Sequence, residues 1–427
     1  MADFTTGVAP PWLTGWKAGL AAACLALSLL AGGAQAQTRE GMGSSVQGLI
    51  AAGRELSPSL RAAALESEAA AARASGAGAL DDPVISDNYQ YYKDPGVFSA
   101  HTVMVTQAFP LWGKRDLRRE AAQADVDAAR GREQAARDEL DEKIKVAFAQ
   151  YAVLTRSVAV NREVQEIARR LRTATEARYA QGGGDQAGAI RAQGEETSAK
   201  LELTRLEGER NATRARLNTL IGRRADAPLA DPLSAGKTLV AVPAASALLD
   251  RARAVNPTLS SQGAAISAAR TRSTLADKAW YPDITVGGGP LIQTNNRPIG
   301  FAATVGLNIP VPWGREASGQ REAAANVGVA QQRYDAALLD IEGSLGEARA
   351  RLEAARQTAA LLRRESLPQA RATLRAVLAA YGQGRGDLAV AIEAERRIHD
   401  VELAALRADL DERVSLAAIE RLIGGDL

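Results

Sequence analysis

Gln107-Ala108-Phe109-Pro110-Leu111-Trp112-Gly113-Lys114-Arg115 is answered about two hundred residues later by Ile309-Pro310-Val311-Pro312-Trp313-Gly314-Arg315. The echo extends on both sides. Pro58 precedes Pro257 and Pro83 precedes Pro282 by 199 residues, Pro110 precedes Pro310 by 200, and Gly113 precedes Gly314 by 201. Tyr179 and Tyr381, Asp185 and Asp387, and the endings Leu220-Ile221-Gly222 and Leu422-Ile423-Gly424 all stand 202 apart. So steady an offset implies a duplicated structural unit. Each copy reads as a helix, two short strands, one very long helix, a glycine turn and a helix back.

The N-terminus reads as an export signal over residues 1–36. Lys17 precedes an apolar stretch from Ala18 to Ala31, and Ala34-Gln35-Ala36 offers small residues for cleavage. The sole cysteine, Cys24, falls inside that stretch, so the processed chain is expected to carry neither disulfides nor thiol chemistry. Beyond the signal no segment is apolar for long enough to span a bilayer as a helix. The net charge of +2, from 52 basic and 50 acidic residues, gives no footprint for nucleic acid. Aromatics make up only 4 % of the chain and alanine dominates the apolar fraction. Alanine interleaved with Arg, Glu and Gln suits long helices packed side by side.

The first repeat is placed at 37–222, a linker at 223–244 and the second repeat at 245–427. From Lys114 to Ala180 there is no proline and only one glycine, Gly131. At ~1.5 Å per residue such a helix would be roughly 100 Å long and must run along partners as a coiled coil. Its counterpart, about 315–381, carries Pro368 and glycines at 319, 328, 343 and 346, which are expected to bend it. Return helices are expected at about 186–222 and 387–423. Between the long and return helices stand Gly182, Gly184 and Asp185 in one copy, and Gly384, Gly386 and Asp387 in the other. Glycine permits the positive φ of a hairpin tip, and aspartate caps the helix that follows.

Strands are expected at about 84–93, 97–110, 283–293 and 300–311. In the last, Phe301, Ala303, Val305, Leu307 and Ile309 take one face while Ala302, Thr304, Gly306 and Asn308 take the other. Lengths near ten residues with one apolar face suit outer-membrane barrel strands as well as soluble hairpins. Four strands cannot close a barrel, and an open sheet edge cannot face lipid. If the strands enter a membrane, several chains must share the barrel, and three would supply twelve strands.

On these features the chain resembles the TolC-like outer-membrane efflux channel family. The likeness lies in the tandem halves, the Gln107–Arg115 phrase and its copy at Ile309–Arg315, the two tips and the Leu-Ile-Gly endings. The Trp-Gly-Lys/Arg phrase is most similar to the heavy-metal (cobalt-zinc-cadmium) branch. The resemblance implies a mixed α/β, mostly α membrane protein. Its homotrimer would form a twelve-stranded outer-membrane barrel that continues into a periplasmic helical tunnel. It implies a conduit for solutes, heavy-metal cations among them, docked to a periplasmic adaptor and an inner-membrane pump of the resistance-nodulation-division type.

The resemblance also places a gate just past the tips. Glu393 falls on an acidic position of that gate, while Val390 stands where a second acid is expected. The repeat-equivalent of Glu393 is Arg191, which makes an Arg191–Glu393 contact between adjacent coils a candidate latch. Tyr179 and Tyr381 are candidate gate hydroxyls. Gly182, Gly184, Asp185, Gly384, Gly386 and Asp387 are the candidate adaptor-contacting tips.

No enzymatic constellation accompanies this layout. His101 and His399 have no neighbours at metal-ligand spacing, and no nucleophile–base pair or phosphate loop is recognisable. Neither a cofactor nor catalysis is expected. Two other readings remain open at this point: a type I protein-secretion duct on the same architecture, and a soluble periplasmic coiled-coil adaptor or scaffold.

Overall fold

The computed structural model describes residues 41–91, 99–182, 186–232, 241–293, 298–311, 313–383, 385 and 388–427. The expected signal segment with Cys24 lies outside these residues, as do Gly184, Asp185, Gly384, Gly386 and Asp387. In chain order the elements are α1 (Val46–Leu56), α2 (Pro58–Gly76), β1 (Val84–Gln90), β2 (Ala100–Phe109), α3 (Lys114–Ala180), α4 (Gln186–Leu220) and α5 (Ala245–Val255). They continue with α6 (Pro257–Asp277), β3 (Asp283–Gln293), β4 (Gly300–Asn308), α7 (Arg315–Leu361), α8 (Leu367–Gly382) and α9 (Leu388–Leu422). The fold is mostly helical and carries four strands among the described residues.

Several expected boundaries move, each for a local reason. Where one helix was expected ahead of each strand pair, the chain forms two, α1–α2 and α5–α6, broken just before Pro58 and Pro257. Proline opens a helix readily because the first turn needs no N–H. Asn256 closes the second break: its side chain accepts from Thr258 N at 2.9 Å and Leu259 N at 3.2 Å, and its amide donates to Leu422 O at 2.8 Å. β2 stops at Phe109, directly before Pro110, and β4 stops at Asn308 instead of continuing to 311. A proline there cannot donate to a sheet ladder. β1 ends at Gln90, short of the expected 93.

α7 is continuous through Gly319, Gly328, Gly343 and Gly346. The interruption comes later, as a π-helical turn over Leu362–Ser366 that leads into Pro368 at the start of α8. Proline removes an N–H and its ring crowds the carbonyl four residues back; a wider π turn makes room for it.

The residues divide into two compact units. One comprises Ser57–Lys143, Leu239–Ala360 and Asp411–Leu427. One apolar cluster in it joins Leu248 and Leu259 to Ile341, Leu345 and Leu352 of α7 and to Ile419, Leu422 and Ile423. Small residues let α3 approach α2 and α6 closely. Ala70 and Ala74 meet Val126 and Ala129, and Ser261 Oγ donates to Ala128 O at 2.8 Å. Gly131 explains itself here. A Cβ on it would lie 2.8 Å from Ser261 Cβ and 3.0 Å from Pro257 O.

The same unit holds the sheet, ordered β1-β2-β3-β4 and antiparallel throughout. Cross-strand partners share a face. Ile85 lies opposite Val105, Phe109 opposite Ile284, Ile284 opposite Leu307, and Val286 opposite Val305. The other face carries Ser86, Asn88, Thr106, Thr285, Thr304 and Asn308. Between Thr102↔Leu291 and Val105↔Gly288 the β2–β3 ladder skips a step beside Pro290, which has no N–H to give. Gly289 sits at this gap, where a Cβ would fall 1.9 Å from Val103 O.

The other unit comprises Met1–Leu56, Ile144–Thr238 and Leu361–Leu410. Leu154, Val158 and Leu206 pack α3 on α4, and Tyr151 is buried with its hydroxyl donating to Asp231 at 3.1 Å. Burial, then the Asp231 charge, pushes the Tyr151 phenol above its ordinary value. Residues 225–230 after α4 are held by hydrogen bonds: Ala230 N donates to Met42 O and Asn218 Nδ2 donates to Ala227 O.

Candidate functional site

The residues singled out for a gate lie in the unit just described. Tyr381 is half-buried, and its hydroxyl accepts from Arg178 Nη1 at 2.8 Å while the guanidinium stands 5.4 Å from the ring centroid. Tyr179 is 47 % exposed and its hydroxyl has no partner among the described residues. At the first tip Gly182 adopts φ +72°, the left-handed conformation that ends a helix, and its N–H bonds Tyr179 O at 3.0 Å.

Arg191 and Glu393 do not meet. Both are exposed, with no partner among the described residues. The bond between α4 and α9 forms one helical turn further on with the signs exchanged, Arg396 Nη2 donating to Glu195 at 2.6 Å. Residues three or four apart stand one turn apart along the same side of a helix. The charges that point across are Glu195 and Arg396, and those at 191 and 393 turn outward.

Beneath this contact lies a denser charge group. Glu196 is buried and takes Arg172 Nε at 2.6 Å and Lys200 Nζ at 2.6 Å; Arg172 also binds Glu176 at 2.9 Å. The Lys200 bond, seconded by Arg172, holds the Glu196 carboxyl below its usual range. A groove of about 460 Å³ runs between α3, α4 and α9, lined by Asn161, Ala168, Glu195, Glu202, Arg396 and His399 among others. His399 Nε2 stands 3.8 Å from Glu395. Charges here are paired across helices, and no nucleophile is set against a base. Among the described residues, no group of three or more His, Cys, Asp or Glu side chains could hold a metal ion.

The Gln107–Arg115 phrase builds a second notable site, in the unit that holds the sheet. Trp112 takes φ +62°, the one non-glycine positive φ among the described residues. It holds that strained conformation because its indole is fixed: Nε1 donates to Pro282 O at 2.7 Å and the rings of Trp112 and Tyr281 lie 5.3 Å apart. Next to it Lys114, its side chain 8 % exposed, donates to Tyr281 O at 2.8 Å and to both carboxylate oxygens of Asp283 at 2.9 Å. Leu111 N bonds the same carboxylate at 3.0 Å. Asp283 and Tyr281 were invisible to motif reasoning, since only their distance in space reveals the pairing.

The sheet leaves its apolar face open. Phe301 is 77 % exposed, Val305 76 % and Ile85 73 %. Its polar exceptions stand at both ends: His101 Nδ1 lies 3.1 Å from Asp87 with Tyr89 stacked on the imidazole at 4.4 Å, and Gln107, opposite Val286, donates to Asp81 O at 2.6 Å. Among the described residues no helix is long and apolar enough to cross a membrane.

Comparison with known proteins bears on this arrangement directly. A family model described as outer membrane efflux protein matches residues 49–223 and again 248–425. A search of curated proteins finds no match. Among solved structures the chain is similar to the channel CusC, with 17 % identity, TM-score 0.78, 89 % of this chain covered and 92 % of that one. It is similar to the outer membrane protein VceC of Vibrio cholerae at 18 % identity and TM-score 0.76, covering 89 % and 96 %. It also matches the open state of the MtrE outer membrane channel of Neisseria gonorrhoeae at 22 % identity and TM-score 0.75, covering 90 % and 89 %. At these identities the likeness shows the fold.

Proposed function

This chain belongs to the outer membrane efflux protein family, whose members are transport channels and not enzymes, and on that footing we propose that three copies share one outer-membrane barrel leading into a periplasmic helical conduit. Solutes handed over by an inner-membrane pump through a periplasmic adaptor would leave the cell along it. The observation that carries the reading is the sheet: an apolar face open to the outside, a polar face behind it, and two unpaired edges, β1 and β4. Nine residues of β4 at ~3.4 Å each give about 30 Å, and a ~40° tilt reduces this to roughly 23 Å, close to the ~25 Å apolar band of outer-membrane barrels. Unpaired edges cannot stand in lipid, so copies must close them; three give twelve strands, an even number within the known range.

The two halves are read as repeats of one unit. That reading is supported by the double family match, by Gly113 and Gly314 opening the long helices at positive φ, and by Gly222 and Gly424 at φ +71°. The gate is assigned to the Arg178–Tyr381 and Arg396–Glu195 contacts, with Arg191 and Glu393 presented to neighbouring copies. The tips carrying Gly182, Gly184, Asp185, Gly384, Gly386 and Asp387 are assigned to the adaptor. For cargo we favour heavy-metal cations, on the likeness of the Trp-Gly-Lys/Arg phrase to that branch, with selection left to the pump.

The test is mass and conductance together. Membrane-extracted protein is expected to scatter light as three chains after subtraction of detergent and to open ion-conducting pores in planar bilayers. A single chain that stays in solution without detergent would refute the channel. Loss of the chain is expected to sensitise cells to cobalt, zinc or cadmium; unchanged tolerance would remove the metal assignment and leave the duct.

A further inference from the structure

The clamp at the first junction has an unfilled counterpart at the second. The inference rests on the reading above, that copies of a duplicated chain close a common barrel. Within the chain, Trp112 and Lys114 grip the start of β3 through Tyr281, Pro282 and Asp283. Trp313 and Arg315 repeat Trp112 and Lys114, the former at an offset of 201. Yet Trp313 is 88 % exposed, and neither side chain has a partner among the described residues.

The missing acceptor is also present. At an offset of 199, Asp82-Pro83-Val84 repeats Tyr281-Pro282-Asp283, preceded by a further acid, Asp81. All of these residues are exposed, and neither carboxylate has a partner among the described residues. One chain cannot bring the two together, because Trp313 follows β4 and Pro83 precedes β1, the opposite edges of the sheet.

We propose that Trp313 and Arg315 of one copy dock on the Asp81–Val84 segment of the next. The indole donates to the Pro83 carbonyl as Trp112 does to Pro282, and Arg315 meets Asp81 and Asp82 where Lys114 meets Asp283. The carboxylate has moved from one side of the proline to the other, and the longer, forked arginine suits that change. Charge complementarity and an unspent indole both point to a second copy of this chain as the occupant.

The dock fixes a strand register. Phe109 pairs with Ile284 within the chain. Carried over by offsets of 200 and 199, Ile309 of one copy comes opposite Ile85 of the next, Leu307 opposite Asp87, and Val305 opposite Tyr89. Every such pair lies on the apolar face of both strands. A slip of one residue would set the apolar face of β4 against the polar face of β1, which this register avoids.

Disulfide trapping tests it on the full chain in a Cys24→Ser background. The paired variant Val305→Cys with Tyr89→Cys, oxidised in detergent, is expected to give covalent species of up to three chain masses. Either single variant should give none, and the slipped pair Val305→Cys with Asp87→Cys only a minor fraction. Trp313→Ala is expected to shift assemblies toward single chains on dilution. Three-chain assemblies that trap the slipped pair better, or trap neither, would overturn the seam while leaving the shared barrel intact. Single chains in the unmutated protein would overturn both, and an unchanged dilution profile for Trp313→Ala would remove the indole as anchor.

Discussion

Two copies of one phrase meet opposite fates in this molecule. At the first strand-to-helix junction the tryptophan is strained, hydrogen-bonded and stacked, and the lysine behind it is buried against a carboxylate. At the second, the tryptophan stands almost wholly exposed and the arginine is unpaired among the described residues. The same asymmetry recurs along the halves. Arg172 of α3 reaches the buried Glu196 of α4, whereas the positions 202 residues on are Leu374 and Ile398. In the proposed assembly a duplicated chain would need some contacts within itself and others toward its neighbours, and such differences would mark which is which.

The largest expected effect breaks the first junction. Lys114→Met leaves the half-buried Asp283 carboxylate with the Leu111 N–H but no cation, strips Tyr281 O of its donor, and should cost about 3 kcal/mol of stability, since removing one partner of a buried pair is costly. The comparison residue, Arg315→Met, should cost a single chain at most ~1 kcal/mol, as an exposed charge does. Thermal unfolding followed by circular dichroism measures both. Equal shifts would mean that the two junctions are not different in kind. Adding Asp283→Leu to Lys114→Met should recover part of the loss.

Next comes the pair of long helices. Gly131→Ala presses a methyl into Ser261 and should cost about 1–3 kcal/mol, as overpacking does. In the second half nothing lies within 4 Å of a Cβ on Gly328. Gly328→Ala should therefore stabilise by up to ~1 kcal/mol through helix propensity. A destabilised Gly328→Ala assembly with an unperturbed single chain would show a neighbour pressing on that face.

An acid titration separates the halves in another way. The Glu196 carboxyl is lowered by Lys200 and Arg172. A depressed carboxylate contributes stability that is complete above the unfolded value, near ~4.3, and that is lost as pH falls through the lower folded value. Glu196→Gln should flatten that acid limb, whereas substituting Ile398, its apolar counterpart, should not change its slope.

How far the fold was legible follows from which physical signal each part carries. A mostly helical chain with four strands could be read because alternation and proline-free runs are local patterns. Strand ends could be read only to within a few residues, because Pro110 and Pro310 act on the ladder and not on the alternation. The bend in the second long helix is read from Pro368 and four glycines together; the helix runs unbroken through the glycines, which only lower propensity, and the π turn comes where Pro368 crowds the preceding turn. The ion pair between α4 and α9 stands one turn from the pair read from the sequence. Charges at 191, 195, 393 and 396 are equivalent in sequence, and only packing decides which of them face one another.

The smallest effect tests that last point. Tyr381→Phe removes one hydrogen bond from Arg178 in a partly exposed setting, worth about 0.5–1.5 kcal/mol. It leaves the aromatic ring beneath the guanidinium in place. In the proposed channel three copies of that loss would raise the open fraction measurably in planar bilayers without altering the open-state conductance. Tyr179→Phe, whose hydroxyl holds no partner among the described residues, should leave the open fraction where it was. Glu393→Ala should raise the open fraction only if neighbouring copies use that carboxylate, since the chain itself does not. A rise for Glu393→Ala with none for Tyr381→Phe would move the closing contacts from within the chain to between chains.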